Sequence, residues 1–260
     1  MIHLKTPEEI KIMAEGGKIL ATIMKQSLKE VKPGITTNDI DRLAESLIFK
    51  YGAKCSFKGQ NGFPACSCIS INEEIVHGVP SARKLKAGDI LSLDLGLYYN
   101  GFHSDMAVTV PVGEVNFDIQ RLMRVAKKSL KRGIKLSRVG NTFGDISNTI
   151  QRYVEGQGFN VARDLAGHGI GKNLHEDPEI LNYGKRERGA EIKEGMVFCL
   201  EPMVVAGSGE IKLAKNGQTY ETEDGSWAAH FEHTIAVTKE GTKILTDMGD
   251  IDLDNNDPEE

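Results

Sequence analysis

The sequence predicts an α+β fold in which an antiparallel sheet is backed by helices. Two helix-like segments followed by strand-like segments occur twice along the chain. Between the two sets, apolar and polar residues alternate on both sides of Asn100-Gly101, the strongest short-range signal for a β-hairpin. These observations favour a single domain over residues 1–249, built from two similar halves, although no repeat is visible residue by residue.

Four helices are indicated by apolar residues at helical spacing and by residues suited to helix ends. They are predicted over residues 7–30, 37–51, 116–135 and 142–157. Thr6 is a suitable N-cap for the first helix, and Thr142 with Asp145 forms a capping pair for the fourth. Strands are expected at residues 66–71, in the hairpin, and in most of the chain after Gly158.

The composition gives no sign of a nucleic-acid surface or a membrane segment. The formal net charge is −5, whereas nucleic-acid binders normally carry a basic face. No apolar run approaches the ~18–20 residues needed to cross a bilayer, and the N-terminus lacks the apolar core of a signal peptide. We therefore expect a cytoplasmic location. Residues 250–260 contain six acidic side chains and are expected to form a solvated, mobile tail.

The four cysteines are expected to be reduced, as is usual in the cytoplasm. Cys66 and Cys68 are too close for a zinc-ribbon pair, and no second pair exists. We interpret them as strand residues rather than metal ligands, on the face of a strand that could line a pocket.

The hairpin brings two aspartates together. With Asn100 and Gly101 as the turn, Asp94 lies opposite Ala107 and Asp105 lies opposite Gly96. The two carboxylates then project from one face as diagonal neighbours, roughly 7–8 Å apart at the backbone. Like charges in one site force one group to stay protonated unless a cation lies between them. The hairpin therefore predicts a metal site.

Three further segments carry candidate ligands. The glycine-rich GHGIGKNLHEDP, residues 167–178, matches neither the dinucleotide nor the P-loop pattern and leaves His168 and His175 flanking a close-packed loop. MVFCLEP places Glu201 at the end of an apolar strand, where glutamate is rarely buried without a partner. In HFEHTIAV, Glu232 faces either a site or solvent, and His233 is expected in the core.

Together these residues have a consistent chemistry. The set comprises Asp94, Asp105, His168, Glu201 and Glu232. Its four carboxylates would be neutralised by two divalent cations, and an oxygen-rich shell with one imidazole suits Mn, Fe(II), Co or Zn. Two such ions about 3.5–4 Å apart generate hydroxide near neutral pH. The sequence therefore predicts a hydrolase centre.

From about residue 6 to residue 247, the chain resembles the type I methionine aminopeptidases. The motifs that carry the resemblance are SINEEIVHGVP (70–80), DLGLYYNGFHSD (94–105), GHGIGKNLHEDP (167–178), EPM (201–203) and HFEHT (230–234). The resemblance implies a pita-bread fold, with pseudo-twofold halves around a dinuclear metal site.

The resemblance also implies a role for each ligand. Asp94 would chelate one metal ion and Asp105 would bridge both. His168 and Glu201 would hold the second ion, and Glu232 would be another bridge. Glu201 would in addition take the proton of the nucleophilic water and pass it to the leaving amine.

Four other residues would contact the substrate. By resemblance, His175 would stabilise the oxyanion of the scissile carbonyl, and His77 would hydrogen-bond near the scissile amide. Cys68 and Phe63 would line the pocket for the methionine side chain.

This chain departs from the family pattern in the pocket. Gln60, Leu174 and Gln218 stand where aromatic residues are common in the family. His103 and His230 have no implied role, and we expect them to be supporting or structural residues.

The implied activity is removal of the initiator methionine from nascent chains when the second residue is small and uncharged. The implied partners are a peptide substrate and, transiently, the ribosome, with the protein itself a monomer. A prolidase or aminopeptidase P would carry a large extra N-terminal domain, but about 90 residues precede Asp94. A type II enzyme would carry a sizeable insertion before the last ligand, but the 30 residues between Glu201 and Glu232 leave no room for one. A binding module of this fold would be expected to lose metal ligands, whereas this chain keeps all five.

Overall fold

The computed structural model describes residues 1–249, which form an α+β fold of four helices and antiparallel sheets, as predicted. The acidic segment 250–260 lies outside the described residues. The helices are α1 (Pro7–Leu28), α2 (Thr37–Lys50), α3 (Phe117–Leu136) and α4 (Phe143–Gly156). Capping boxes begin α1 at Thr6 and α4 at Thr142, which confirms both predicted caps.

Fifteen strands are described, and most are short. They are β1 (Lys54–Cys55), β2 (Ser67–Ile71), β3 (Glu74–Val76), β4 (Ile90–Tyr99), β5 (Phe102–Pro111), β6 (Asn160–Val161), β7 (Ala166–Gly169), β8 (Glu176–Leu181), β9 (Val197–Leu200), β10 (Met203–Val205), β11 (Ile211–Leu213), β12 (Tyr220–Thr222), β13 (Ala228–His230), β14 (His233–Thr238) and β15 (Gly241–Ile244).

The two halves have the same general construction. In the first half, α1 packs on the β4–β5 hairpin and α2 packs on β2. In the second half, α3 and α4 pack on strands that include β8, β9, β10 and β13. The second half contains the five-stranded sheet β15-β14-β9-β7-β8, in which all described pairings are antiparallel. The order helix–helix–strands therefore occurs twice, as predicted.

The long hairpin β4–β5 has the register that its turn residues predict. Asp94 pairs with Ala107, and Gly96 pairs with Asp105. Asn100 and Gly101 both have positive φ, 47° and 93°, as the turn between the strands requires. The predicted positions of the two aspartates are therefore confirmed.

Hydrogen bonds between β5 and the HFEHT segment join the two halves of the molecule. On β5, Asp105 exchanges two bonds with the Thr234 hydroxyl: its N–H donates at 3.0 Å and its carbonyl accepts at 2.7 Å. The Glu232 N–H donates to the Ala107 carbonyl at 2.9 Å. The His230 N–H donates to the Thr109 hydroxyl, which in turn donates to the His230 carbonyl, both at 2.8 Å. These contacts fix the HFEHT segment against the hairpin.

The expectation that all four cysteines are reduced is wrong. Cys55 and Cys66 are joined by a disulfide, whereas Cys68 and Cys199 are free and buried. The cause is topological: β1 and β2 pair one after the other with β4, so the end of β1 and the start of β2 become neighbours although the two cysteines are eleven positions apart in the sequence. Cys68 is a β2 residue, as predicted.

No helix within residues 1–249 is both long enough and apolar enough to cross a membrane.

Candidate metal centre

The five candidate ligands line one cavity of about 660 Å³ where the two halves meet. Asp94 and Asp105 come from the hairpin, and His168 from β7. Glu201 directly follows β9, and Glu232 directly precedes β14. The structure thus brings together residues that are separated by up to 138 positions, and it places Glu232 at the cavity rather than in solvent.

The orientation of His168 is set by its neighbours. A break in the β7–β8 register falls between His168 and Gly169, and such bulges re-aim side chains. The Nδ1 atom lies 2.9 Å from the Gly169 carbonyl, which can only accept, so Nδ1 carries the proton. Nε2 therefore presents a lone pair to the cavity, 3.6 Å from Glu201 Oε1.

The four carboxylates are buried close to one another, and the pKa of each is raised. Burial raises the pKa of Asp94, Glu201 and Glu232 well above the usual range, and the negative charges nearby add to the effect. Burial also raises the pKa of Asp105 to about 7. These groups cannot all be ionised at neutral pH without a compensating cation.

The donor atoms fit divalent cations. One oxygen each of Asp94, Asp105 and Glu232 is buried without a hydrogen-bond partner within residues 1–249, which is unusual for buried polar atoms. Ligand atoms of Asp105, His168 and Glu232 lie within 4.8 Å of one another, together with the Cys199 thiol. Carboxylate oxygens and a neutral imidazole nitrogen are a suitable donor set for Mn, Fe(II), Co or Zn.

The four predicted substrate contacts line the same cavity. His175 lies with its ring centroid 4.4 Å from that of His168, and His77 lies against the Tyr220 ring at 5.9 Å. Partial burial lowers the pKa of both His77 and His175, so both are neutral hydrogen-bonding groups above pH 7.

The apolar wall of the cavity adjoins the metal ligands. Cys68 on β2 pairs directly with Asp94 on β4. Phe63 and Leu174 are buried in the same apolar cluster as Cys68, and Phe57 extends it. The three positions that depart from the family pattern, Gln60, Leu174 and Gln218, all line the cavity.

Sequence reasoning missed two features of the site. The buried His230 faces the cavity beside Glu201 and Glu232, a placement that the two-residue spacing in HFEHT could have indicated. Lys5 forms a buried ion pair with Glu176 at 2.7 Å, next to His175. No local pattern indicates that pair, because its partners are 171 residues apart. His233, by contrast, has a hydrogen-bond partner in Thr246 at 3.0 Å, as expected for a structural histidine, but it is half-buried rather than in the core.

Replacing Thr234 with valine should destabilise the protein and loosen the site. Valine keeps the shape of threonine but leaves the buried N–H and carbonyl of Asp105 without a hydrogen-bond partner. Each unpaired group lowers the stability by about 1–3 kcal/mol. We expect the free energy of unfolding in urea to fall by about 2–6 kcal/mol. Thr238→Val, which removes one bond at the far end of β14, is the control. Equal losses in the two variants would contradict a joining role for Thr234.

Metal-free protein should become less stable as the pH rises. The pKa of Asp105 is about 7 when folded and near 4 when unfolded, so between these values the folded state binds more protons and its free energy of unfolding decreases with pH. We expect the melting temperature without metal to fall by at least about 4 °C between pH 5 and pH 8. Saturating metal should remove this fall. An unchanged melting temperature in metal-free protein would contradict the raised pKa of the buried Asp105 carboxyl.

The fold and the cluster of donors define a metallohydrolase with the pita-bread architecture. The chain belongs to metallopeptidase family M24, whose model matches residues 11–239. It is 48% identical to methionine aminopeptidase 1 of Bacillus subtilis over 246 residues, which is 95% of this chain and 99% of that protein.

Solved structures agree with this assignment. The crystal structure of a methionine aminopeptidase from Thermotoga maritima matches with a TM-score of 0.93 and 44% identity, over 95% of this chain and 99% of that one. A prolidase from Pyrococcus furiosus matches with a TM-score of 0.77 and 24% identity, over 94% of this chain and 65% of that one, and shows the shared fold alone.

Proposed function

We propose that this protein is a methionyl aminopeptidase, which removes the N-terminal methionine from peptides and nascent proteins when the second residue is small and uncharged. The observation that carries the proposal is the position of the carboxylate-rich cluster beside a buried apolar wall. Its strongest support from relatives is the full-length similarity to methionine aminopeptidases.

The five ligands would hold two divalent ions. Asp94, Asp105, Glu201 and Glu232 together carry a charge of −4 when ionised, which two such ions neutralise. As the family resemblance implies, Asp105 and Glu232 would be shared by both ions, Asp94 would hold one of them, and His168 with Glu201 would hold the other. Bound there, the ions would supply Lewis acidity and make water a competent nucleophile near neutral pH.

Glu201 is the proposed general base and acid. Its carboxyl lines the cavity beside the proposed ions, where it can accept the proton of the attacking water and return it to the leaving amine. Asn182 donates to the Glu201 carbonyl at 3.0 Å and holds the residue at the end of β9. His175 is proposed to donate to the oxygen of the scissile carbonyl, and His77 to hydrogen-bond near the scissile amide.

Substrate selection is proposed to lie in the apolar wall. Phe63, Cys68 and Leu174 offer an aromatic ring, a thiol and an aliphatic side chain, which suit a flexible, polarisable thioether. Because Cys68 is opposite Asp94, a methionine side chain on this wall would place its own carbonyl close to the metal ligands.

The wider setting follows from the activity. A methionyl aminopeptidase acts on chains as they leave the ribosome, so we propose a cytoplasmic location, transient ribosome association and a monomeric enzyme. The acidic segment 250–260 has no proposed role.

The test uses two tripeptide types with the metal-loaded protein. We expect methionine to be released from Met-Ala-Ser, and no residue to be released from an Xaa-Pro peptide such as Ala-Pro-Ser. Release is followed by mass spectrometry of the shortened peptides. The reverse preference would assign the protein to the proline-directed members of the family instead.

A further inference from the structure

A second group of potential metal ligands adjoins the five described above. Ligand atoms of Glu201, His230 and Glu232 all lie within 4.8 Å of one another, and all three residues are buried. Two of them belong to the proposed centre, and the third, His230, has so far only a supporting or structural role. The question is what the imidazole of His230 does there.

The His230 ring is held firmly and points into the cavity. The N–H and the carbonyl of His230 are both hydrogen-bonded to the Thr109 hydroxyl, at 2.8 Å each. His230 also pairs with Met203 on β10. The residue is 2% exposed, and its Nε2 atom has no hydrogen-bond partner within the described part of the chain. A buried nitrogen without a partner is costly, so the site is incomplete without a group that contacts Nε2.

The distances around Nε2 identify that group. Nε2 lies 3.6 Å from Glu201 Oε2 and 3.8 Å from Glu232 Oε2. Both separations exceed the range of a hydrogen bond. Ligand atoms that bind one ion lie about 2.0–2.2 Å from it. When the ligand–metal–ligand angle is tetrahedral to trigonal, two such atoms are about 3.3–3.8 Å apart. The spacing is therefore that of donors which share a cation, and Nε2 aims between the two carboxylates.

We propose that His230 is a sixth protein ligand of the metal centre, binding a divalent ion through Nε2 together with Glu201 and Glu232. The proposal rests on the proposed metal-dependent function and adds a second imidazole to it. Glu201 then lies between two imidazoles, with Oε1 facing His168 and Oε2 facing His230. Imidazole favours Fe, Co and Zn over Mn, so His230 shifts the selectivity of the centre toward the first three ions.

The direct test is an anomalous-diffraction structure of the protein loaded with Co(II) or Zn(II). We expect an anomalous peak about 2.0–2.2 Å from His230 Nε2. Peaks at Asp94, Asp105 and His168 with His230 more than about 3 Å from each would overturn the proposal while leaving the proposed function intact. The absence of any bound metal would overturn both.

A second test measures affinity rather than activity. His230→Gln keeps a polar side chain but removes the imidazole, and it should weaken Co(II) and Zn(II) binding by more than the roughly 10–100-fold that is lost when a residue supporting a ligand is changed. Mn(II) binding should change less, because carboxylate oxygens supply most of its affinity. Affinities are measured by competition with a chelator.

The matched control is His233→Gln. His233 is in the same segment, but its Nδ1 atom is hydrogen-bonded to Thr246. We expect this variant to leave all three metal affinities unchanged. Equal affinities in wild type and His230→Gln, or an equal loss in both variants, would contradict the assignment of His230 as a ligand.

Discussion

Glu201→Ala is expected to abolish methionine release. The substitution removes both a metal ligand and the carboxyl that transfers the proton. Proton transfer by a positioned side chain contributes about 10²–10⁴-fold to the rate, and the loss of a ligand adds to that. We therefore expect kcat for Met-Ala-Ser to fall by at least about 10³-fold, measured with metal in excess over the dissociation constant of the variant.

The control for this variant is Glu194→Ala. Glu194 is exposed and lies just before β9, so the same chemical change is made near the same strand but outside the cavity. It should keep wild-type kcat and metal content. Substantial turnover by Glu201→Ala would remove Glu201 from both of its proposed roles.

A single glycine inserted between Asn100 and Gly101 is expected to empty the metal centre. Side chains alternate in a strand, so a shift of one residue turns the β5 side chains to the opposite face. Asp105 would then leave the cavity, and its two hydrogen bonds to Thr234 would be lost. We expect metal bound per chain to fall from about two ions to fewer than one, measured by elemental analysis after dialysis.

An insertion at the other end of β5 is the matched control. A glycine between Gly113 and Glu114 lies in the exposed connection after the strand, so the pairing of Asp94 and Asp105 is retained. This variant should bind metal as the wild type does. If the insertion at the turn also left metal content unchanged, the register of the hairpin could not be what positions Asp105.

The sequence contained enough local information to predict the hairpin and the helices. The turn Asn100-Gly101 determines the β4–β5 register because a two-residue loop allows one pairing, and this register places Asp94 and Asp105. The caps at Thr6 and Thr142 are likewise local, since each hydroxyl bonds a backbone group three residues away. That His168, Glu201 and Glu232 lie in the same site was predicted from their chemistry as metal ligands and from the family resemblance.

Features that depend on chain topology could not be predicted locally. The Cys55–Cys66 disulfide follows from the pairing of β1 and β2 with the same edge of β4, which no residue spacing indicates. The ion pair of Lys5 with Glu176 joins the segment before α1 to the start of β8. For His230, the two-residue spacing from Glu232 could have indicated a shared face, but its distances to Glu201 and Glu232 exist only once β13 and β14 are placed.

The most direct test of the metal-dependent activity is a metal titration. The protein is first stripped of metal with a chelator, and the chelator is then removed. Bound Co(II) or Mn(II) and methionine released from Met-Ala-Ser are measured on the same samples. The metal-free protein should release no methionine, and release should rise with bound metal until the centre is filled. Full release by the metal-free protein in the presence of chelator would contradict the assignment of the cluster as the catalytic centre.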